Sequence, residues 1–387
     1  MKLNTSNWKL CSIGDVVDHI EIHEREPSIR KVTKFVNVSD VGILDLRLRG
    51  YTNEEKPSFT RTFKEGQILF AKRWAISTPY PSKIAIADID GICSPHLWAL
   101  ETKEPLNQQL LPFVLQTNSF FEHANKNSAG SLAGVYLNWD PFSKYQFKLP
   151  PKDEQEKILS LFLTLENQIE KTEEQEKNLV ALRSKLATEL VCIDAQFGNL
   201  LHSKNCKPST LGQIAKETRE NTKTPLEEGI VRFVGLEHIE SGKLSIQGWG
   251  NVADGTTFTK VFQVGEVLFG RRRAYLKKAA QADFKGLCSG DITVLRANEK
   301  LILPDLLPYY LSADPVFDFA VSNSAGSLSP RAKWRDLSKY EITLPDLTTQ
   351  EKILEVFKLL DKNINENRAQ FSTLKKLKQK LLDEILG

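Results

Sequence analysis

At 387 residues, 41% hydrophobic and 26% charged, the chain can bury more than one core, and no stretch approaches the ~20 consecutive apolar residues of a membrane span. A formal net charge of +3 is too small to identify a nucleic-acid partner by itself, so the placement of charge has to carry that question. Five cysteines, odd in number and without a C-x-x-C pair, argue against a disulfide framework or a zinc site, and MKLNTSNWKL lacks the apolar core of a signal peptide; together they lead us to expect a cytoplasmic protein with no membrane partner.

In chain order, residues 1–151 read as a mixed α/β globule. Short β-branched or aromatic runs (KFVNVSDV, QILFAKRWA, KIAIADI) alternate with turn residues, and NQQLLPFVLQTNSFFEHANKN carries helix-spaced apolar positions. The turn NSAGSL follows at Asn127 to Leu132, then W-x-x-x-SKY and an LP pair. Residues 152–195 change texture: there is no Pro or Gly from Asp153 to Cys192. Ile158, Phe162, Leu165, Ile169, Thr172, Glu176, Leu179, Leu182, Leu186 and Leu190 fall at steps of three and four, which predicts one long heptad helix on the order of 60 Å.

The chain then repeats itself at an offset of about 195 to 199 residues, far longer than a solenoid unit, which marks a tandem duplication of a whole domain. Residues 196–346 form the second globule, with FVGLEHI against FVNVSDV, FQVGEVLFGRRRA against FKEGQILFAKRWA, GLCS against GICS, and NSAGSL again at Asn323 to Leu328. Residues 347–387 form the second heptad helix through Ile353, Phe357, Leu360, Ile364, Asn367, Phe371, Leu374, Leu377, Leu381 and Ile385. The second globule hangs from the end of the first helix and the second helix leaves that globule, so the helices are expected to pair antiparallel. The fold class is therefore α/β: two tandem homologous globules joined by two long antiparallel coiled-coil helices, a pseudo-twofold dumbbell.

A ligand with regular, approximately twofold spacing suits such a chain, and duplex DNA is the obvious one. The basic residues cluster accordingly. Thr259 to Lys285 contains Lys260, Arg271, Arg272, Arg273, Lys277, Lys278 and Lys285 against Glu266 and Asp283, and Tyr275 interleaves. The first half answers with Lys72, Arg73, Trp74, Tyr80 and Lys83. Arg reads guanine edges, and both cations neutralise phosphate. Asn127, Ser128 and Ser131 of the first NSAGSL, and Asn323, Ser324 and Ser327 of the second, are expected to bond phosphate oxygens where small residues permit close approach. Tyr136 in Gly134-Val135-Tyr136, and Arg331 and Lys333 in or after Pro330-Arg331-Ala332, are the candidate readers that differ between halves.

Catalysis finds no support. Neither F-x-G-x-G nor [ND]-P-P-[YFW] occurs, Asp140-Pro141-Phe142 lacking a proline, and there is no G-x-x-x-x-G-K-[ST]. His19 and His23 lack the H-E-x-x-H arrangement, and Asp45 with Glu54-Glu55-Lys56 only loosely imitates a nuclease motif. No metal site and no cofactor is expected in this chain.

The order globule, LP-x-x-x-x-Q-EKI, heptad helix, repeated, resembles the DNA-specificity subunit of type I restriction-modification enzymes over essentially the whole chain. The P-P-x-x-E-Q-x-K-I pattern is matched by Pro150, Pro151, Glu154, Gln155, Lys157 and Ile158; the second copy keeps Pro345, Gln350, Lys352 and Ile353 but has Asp346 for the second Pro and Thr349 for the acid. The resemblance implies two target-recognition domains reading the halves of a split, asymmetric site. It also implies spacer helices whose starts and seams (Gln155, Lys157, Ile158, Phe162, Leu165, Ile169; Gln350, Lys352, Ile353, Phe357, Leu360, Ile364) dock two copies of a modification methyltransferase subunit. Restriction subunits complete the assembly, and S-adenosylmethionine, ATP and Mg are expected on those partners. The competing reading is a coiled-coil scaffold whose globules bind proteins, which lacks the steep salt dependence of phosphate neutralisation.

Overall fold

The computed structural model describes residues 5–24, 34–43, 46–53, 60–75, 83–131, 134–192, 197, 200–201, 205–326 and 329–387. Tyr80, Ser327, Leu132, Leu328, Asp45 and Glu54-Glu55-Lys56 lie outside the described residues. The chain divides into two compact units, Met1–Thr172 with Gln370–Gly387, and Glu173–Ala369.

In the first unit a four-stranded antiparallel sheet runs in the order β2 (Val17–Ile20), β10 (Leu97–Thr102), β6 (Ile68–Ala71), β8 (Ile84–Ile86). Successive strand side chains point to opposite faces. Ile68, Phe70, Trp98 and Leu100 therefore enter the main core, and Leu69, Ala71, Leu97 and Ala99 enter a second one. The sheet β4 (Thr52–Asn53), β3 (Lys34–Val36), β9 (Gly91–Cys93), β5 (Arg61–Phe63), with β3 and β9 parallel, supplies Val36, Phe63 and Cys93 to that second core. The repeated glycine of GICS has a steric reason: a Cβ on Gly91 would meet Phe63 Cζ at 2.6 Å, and one on Gly286 would meet Phe262 Cζ at 2.6 Å.

The main core is completed by α1 (Ile13–Val16), α2 (Leu111–Val114), α3 (Asn118–Lys126) and α4 (Trp139–Ser143), and by β1 (Lys9–Ser12) paired with β13 (Gln146–Leu149). Two long helices add to it. The start of α5 (Lys152–Val191) contributes Ile158, Leu159, Phe162 and Leu165, and the end of α10 (Leu347–Ile385) contributes Leu382. A small third sheet joins β11 (Ala129–Ser131), β12 (Gly134–Tyr136) and β7 (Arg73–Trp74).

The second unit repeats this plan. Its central sheet is β15 (Ala215–Thr218), β22 (Ile292–Ala297), β19 (Val267–Gly270), β20 (Ala279–Gln281), and its second sheet is β17 (Gly250–Asn251), β16 (Arg232–Val234), β21 (Gly286–Cys288), β18 (Lys260–Phe262), again with one parallel pair, β16 and β21. Strand β14 (Cys206–Thr210) pairs with β23 (Glu341–Pro345). Helices α6 (Leu211–Ile214), α7 (Leu307–Ser312), α8 (Asp314–Ser322) and α9 (Trp334–Leu337) close the core with the end of α5 and the start of α10.

Within each unit the two long helices are antiparallel. In the second, Arg183 Nη1 meets Asp361 Oδ1 at 2.6 Å and Arg368 Nε meets Glu176 Oε1 at 2.6 Å; in the first, Lys378 pairs with Glu166. The heptad seam needs one correction. Leu182 and Leu377 are 44% and 43% exposed, whereas Arg183 and Lys378 are 8% and 4% exposed and take the inward places. Cations can occupy a seam when an acid on the facing helix pairs with them, and apolar periodicity alone cannot register that.

Candidate nucleic-acid interface

In each unit one site gathers residues that lie far apart in sequence. Lys72 links β6 to β7, and β12 lies against β7 in register, with Tyr136 opposite Arg73 and Leu137 N–H donating to Lys72 O at 2.8 Å. On its other side β12 pairs with β11, placing Ala129 of NSAGSL opposite Tyr136. The second unit builds the same contacts from bridges: Arg272 opposite Arg331, Ala325 of NSAGSL opposite Arg331, and Ala332 N–H donating to Arg271 O at 2.9 Å.

Tyr136 and Arg331 are thus the equivalent residues, one position off the match of Gly134-Val135-Tyr136 with Pro330-Arg331-Ala332. The repeated turn is the constant part of the site and holds a variable residue by its backbone. Gly130 and Gly326 take φ of +147° and +115°, and a Cβ at Gly130 would meet Gly134 O at 2.3 Å, so the turn needs glycine there.

The polar side chains of that turn cap the preceding helix. Asn127 Nδ2 donates to His123 O and Asn323 Nδ2 to Phe319 O, each at 2.8 Å; Ser128 Oγ donates to Asn125 O at 3.0 Å and Ser324 Oγ to Ala320 O at 2.7 Å. These donors satisfy carbonyls left open at a helix C-terminus. The side-chain donors expected to reach phosphate oxygens are thus engaged in local capping in this structure. Ser131 contributes to β11 through its backbone.

Several basic candidates also turn inward. Lys83 Nζ donates to Val38 O at 2.8 Å and Lys278 Nζ to Leu236 O at 2.7 Å, equivalent bonds to a 3-10 turn in each unit. Lys277 Nζ meets Asp314 Oδ1 at 2.5 Å. Trp74 is 8% exposed and belongs to the main core, so it is a packing residue and not a surface reader. Exposed basic and aromatic candidates remain: Arg73, Tyr136, Arg273, Tyr275, Arg331 and Lys333. Arg273 sits in the left-handed region at φ 53°, just before a 3-10 turn (Ala274–Leu276) that holds Tyr275 54% exposed.

Sequence reasoning missed the residue at the centre of each site. Lys72 N–H donates to His96 O and Arg271 N–H to Asp291 O, both at 3.0 Å, so His96 and Asp291 are equivalent. In the first unit His96 Nε2 lies 3.5 Å from Arg73 Nη1; burial, then the charges of Arg73 and Lys72, hold its pKa below the usual histidine value. In the second unit Asp291 bridges two guanidiniums, Oδ1 to Arg331 Nε at 2.7 Å and Oδ2 to Arg272 Nη1 at 3.2 Å. Burial raises the pKa of Asp291, but the paired arginines outweigh it and hold the carboxyl below the usual range. The pair follows directly on GICS and GLCS, as PH against GD, which is the signal that could have found it.

Around His96 the first unit has a cavity of about 860 Å³ whose lining includes His19, Lys72, Trp98, Gly134, Tyr136 and Trp139. His19 stacks on Trp139 with ring centroids 5.4 Å apart, and burial pushes its pKa down to about 4. Burial, followed by the charge of Arg61, also lowers the pKa of Lys72, whose Nζ lies 5.8 Å from the Trp98 ring. Among the described residues no group of three His, Cys, Asp or Glu side chains could hold a metal, and no helix is long and apolar enough to cross a membrane.

These features define one backbone frame built twice, with a cationic strand end beside a position that is Tyr136 in one unit and Arg331 in the other. The family model "Type I restriction modification DNA specificity domain" matches residues 5–180 and 204–375, and the chain belongs to that family. The specificity subunit of the type I restriction enzyme EcoDI from Escherichia coli is 27% identical over 161 residues, 39% of this chain; the match spans 36% of that relative's length. The fold is shared with the S subunit of a type I restriction-modification system from M. genitalium, with a TM-score of 0.56 at 17% identity, covering 100% of this chain and 98% of that one. A chain from work on complex assembly and conformational transition of the type I R-M system gives a TM-score of 0.59 at 17% identity, covering 99% and 98%.

Proposed function

We infer that this chain is the non-catalytic, double-stranded-DNA-reading subunit of a type I restriction-modification enzyme, each unit reading one half of a bipartite asymmetric site. The observation that carries this reading is the paired site: in both units a basic strand end and the NSAGSL turn flank one reader position, and that position is Tyr136 in one unit and Arg331 in the other. Equal docking with unequal readers is what an asymmetric split site requires. On this reading the basic residues around the readers neutralise phosphates, and base edges are read by the few side chains that differ. The long helices set the gap between half-sites and carry two methyltransferase subunits, with restriction subunits added. S-adenosylmethionine, ATP and Mg belong to those partners.

Most of the residues singled out on the helix starts and seams are buried within their own unit. Gln155 and Gln350 are 1% and 0% exposed, and Ile158, Phe162, Ile353 and Phe357 are buried in the cores. Lys157 and Lys352 are exposed and remain available to a partner.

The test is selection from a random duplex library with the chain co-purified with its methyltransferase, at two salt concentrations. The expected result is an enriched split motif with a fixed gap and an affinity that falls as a power of salt. A stable protein complex that enriches no sequence would support the scaffold reading instead.

A further inference from the structure

The second unit's site contains a carboxylate that a surface built only to hold phosphate would not place there. Asp291 is followed by β22, and its N–H donates to Ser289 Oγ at 3.2 Å, so the carboxylate stands at a fixed strand end. Its two oxygens take two different arginines. Arg272, opposite Arg331 in register, gives Nη1 to Oδ2 at 3.2 Å and Nη2 to Ser329 Oγ at 3.2 Å. Arg331 gives Nε to Oδ1 at 2.7 Å, and its backbone is bonded to Ala325 in both directions, at 3.0 and 3.3 Å.

Among the described residues Arg331 makes no other side-chain hydrogen bond, and its side chain is 45% exposed. Binding through Nε leaves the terminal Nη pair, the edge that forms two parallel bonds to a planar acceptor pair. Guanine presents such a pair, O6 and N7, in the major groove. A flexible arginine loses much of its binding energy on ordering, whereas one held at Nε by a carboxylate is pre-organised.

We propose that Asp291 is a specificity-determining positioning residue, which aims Arg331 at the major-groove edge of a guanine in the half-site read by the second unit. Among the described residues the first unit has no such device. His96, facing Arg73, stands where Asp291 does, and Tyr136 stands where Arg331 does. The exchange of an Asp-Arg pair for a His-Tyr pair on one backbone frame makes the two half-sites different. This inference rests on the DNA-reading function proposed above.

The experiment compares the methyltransferase-bound complex carrying wild-type chain, Asp291→Asn or Arg331→Lys in the same duplex selection, together with thermal melting and binding to unrelated duplex. Wild type should enrich a G·C pair at one position of the second unit's half-site. Both variants should lower discrimination at that pair by roughly tenfold or more, with the other half-site unchanged. Asp291→Asn removes a negative charge, so its affinity for unrelated duplex should stay level or rise.

A wild-type motif with no preferred G·C pair in that half-site, or a motif left intact by both variants, overturns the inference while the DNA-reading function stands. Parallel loss of melting temperature, specific binding and unrelated binding in both variants also overturns it, because that is the behaviour of a purely structural ion pair. No enrichment by wild type overturns the proposed function itself and this inference with it.

Discussion

Asp361 accepts from two sides, Arg183 Nη1 at 2.6 Å and the Tyr309 hydroxyl, and Arg183 also donates to Gly242 O. An almost buried guanidinium is tolerable only with such partners; removing it leaves Asp361 without its cation. Arg183→Ala should cost about 3–5 kcal/mol of stability, whereas Leu182→Ala, at an exposed position, should change it by less than about 0.5 kcal/mol. Denaturant unfolding of the two variants checks this, and the reverse ranking would restore the apolar seam at Leu182. His19 supplies a pH-dependent term in the first unit. Its folded pKa of about 4 lies below the ordinary 6.5, so the unfolded chain binds a proton that the folded one refuses as pH falls between those values. Stability contributed by the neutral ring is present above pH 6.5 and is lost as pH falls toward 4, with a slope of at most about 1.4 kcal/mol per pH unit. Unfolding followed from pH 7 to 4 should show a flatter profile in His19→Phe than in wild type.

The helix starts show how an element is fastened to its globule. Gln155 Nε2 donates to Pro105 O and Pro150 O, both at 2.9 Å, and its Oε1 accepts from Asn107 N–H at 2.8 Å. Gln350 repeats this with Leu301 O at 2.8 Å, Pro345 O at 2.9 Å and Leu303 N–H at 2.9 Å. The motif glutamine is thus an internal brace, and its removal strands buried backbone groups. Gln155→Ala and Gln350→Ala should each destabilise their own unit by about 2–4 kcal/mol, read as a shift in one unfolding transition or in local hydrogen exchange. The departures in the second motif are compensated locally. Asp346 Oδ1 accepts from Thr349 N–H at 2.7 Å, an N-cap that Pro151 cannot provide, while Glu154, at the position of Thr349, accepts instead from Trp8 Nε1 at 2.9 Å.

At the scale of the whole molecule, both ends of the sequence belong to one compact unit: the last eighteen residues join Met1–Thr172. Asp383 accepts from the Asn118 N–H at 2.7 Å and from Asn118 Nδ2 at 2.6 Å, which fixes the end of α10 against the start of α3. A circular permutant that joins residue 387 to residue 1 through a short Gly-Ser linker, and opens the chain near residues 199 to 208, should therefore fold and keep DNA selection. Insoluble protein, or soluble protein whose unfolding transitions both collapse, would contradict the shared unit.

Duplication, two mixed α/β globules and two long helices were all legible in the residues, because repeats, strand alternation and helical spacing are local patterns that survive in one dimension. The basic strand end and the NSAGSL turn were legible too, but as separate candidates. Only the tertiary structure put Ala129, Tyr136, Arg73 and His96 on one frame and Ala325, Arg331, Arg272 and Asp291 on its copy, since β-register joins residues sixty positions apart for reasons that no local pattern records. It also tied Lys83, Lys278, Asn127 and Asn323 to nearby backbone carbonyls, and put Arg183 and Lys378 inside the helix seam. The type of a charged or amide side chain says that it must find a partner; which partner it finds is settled by packing.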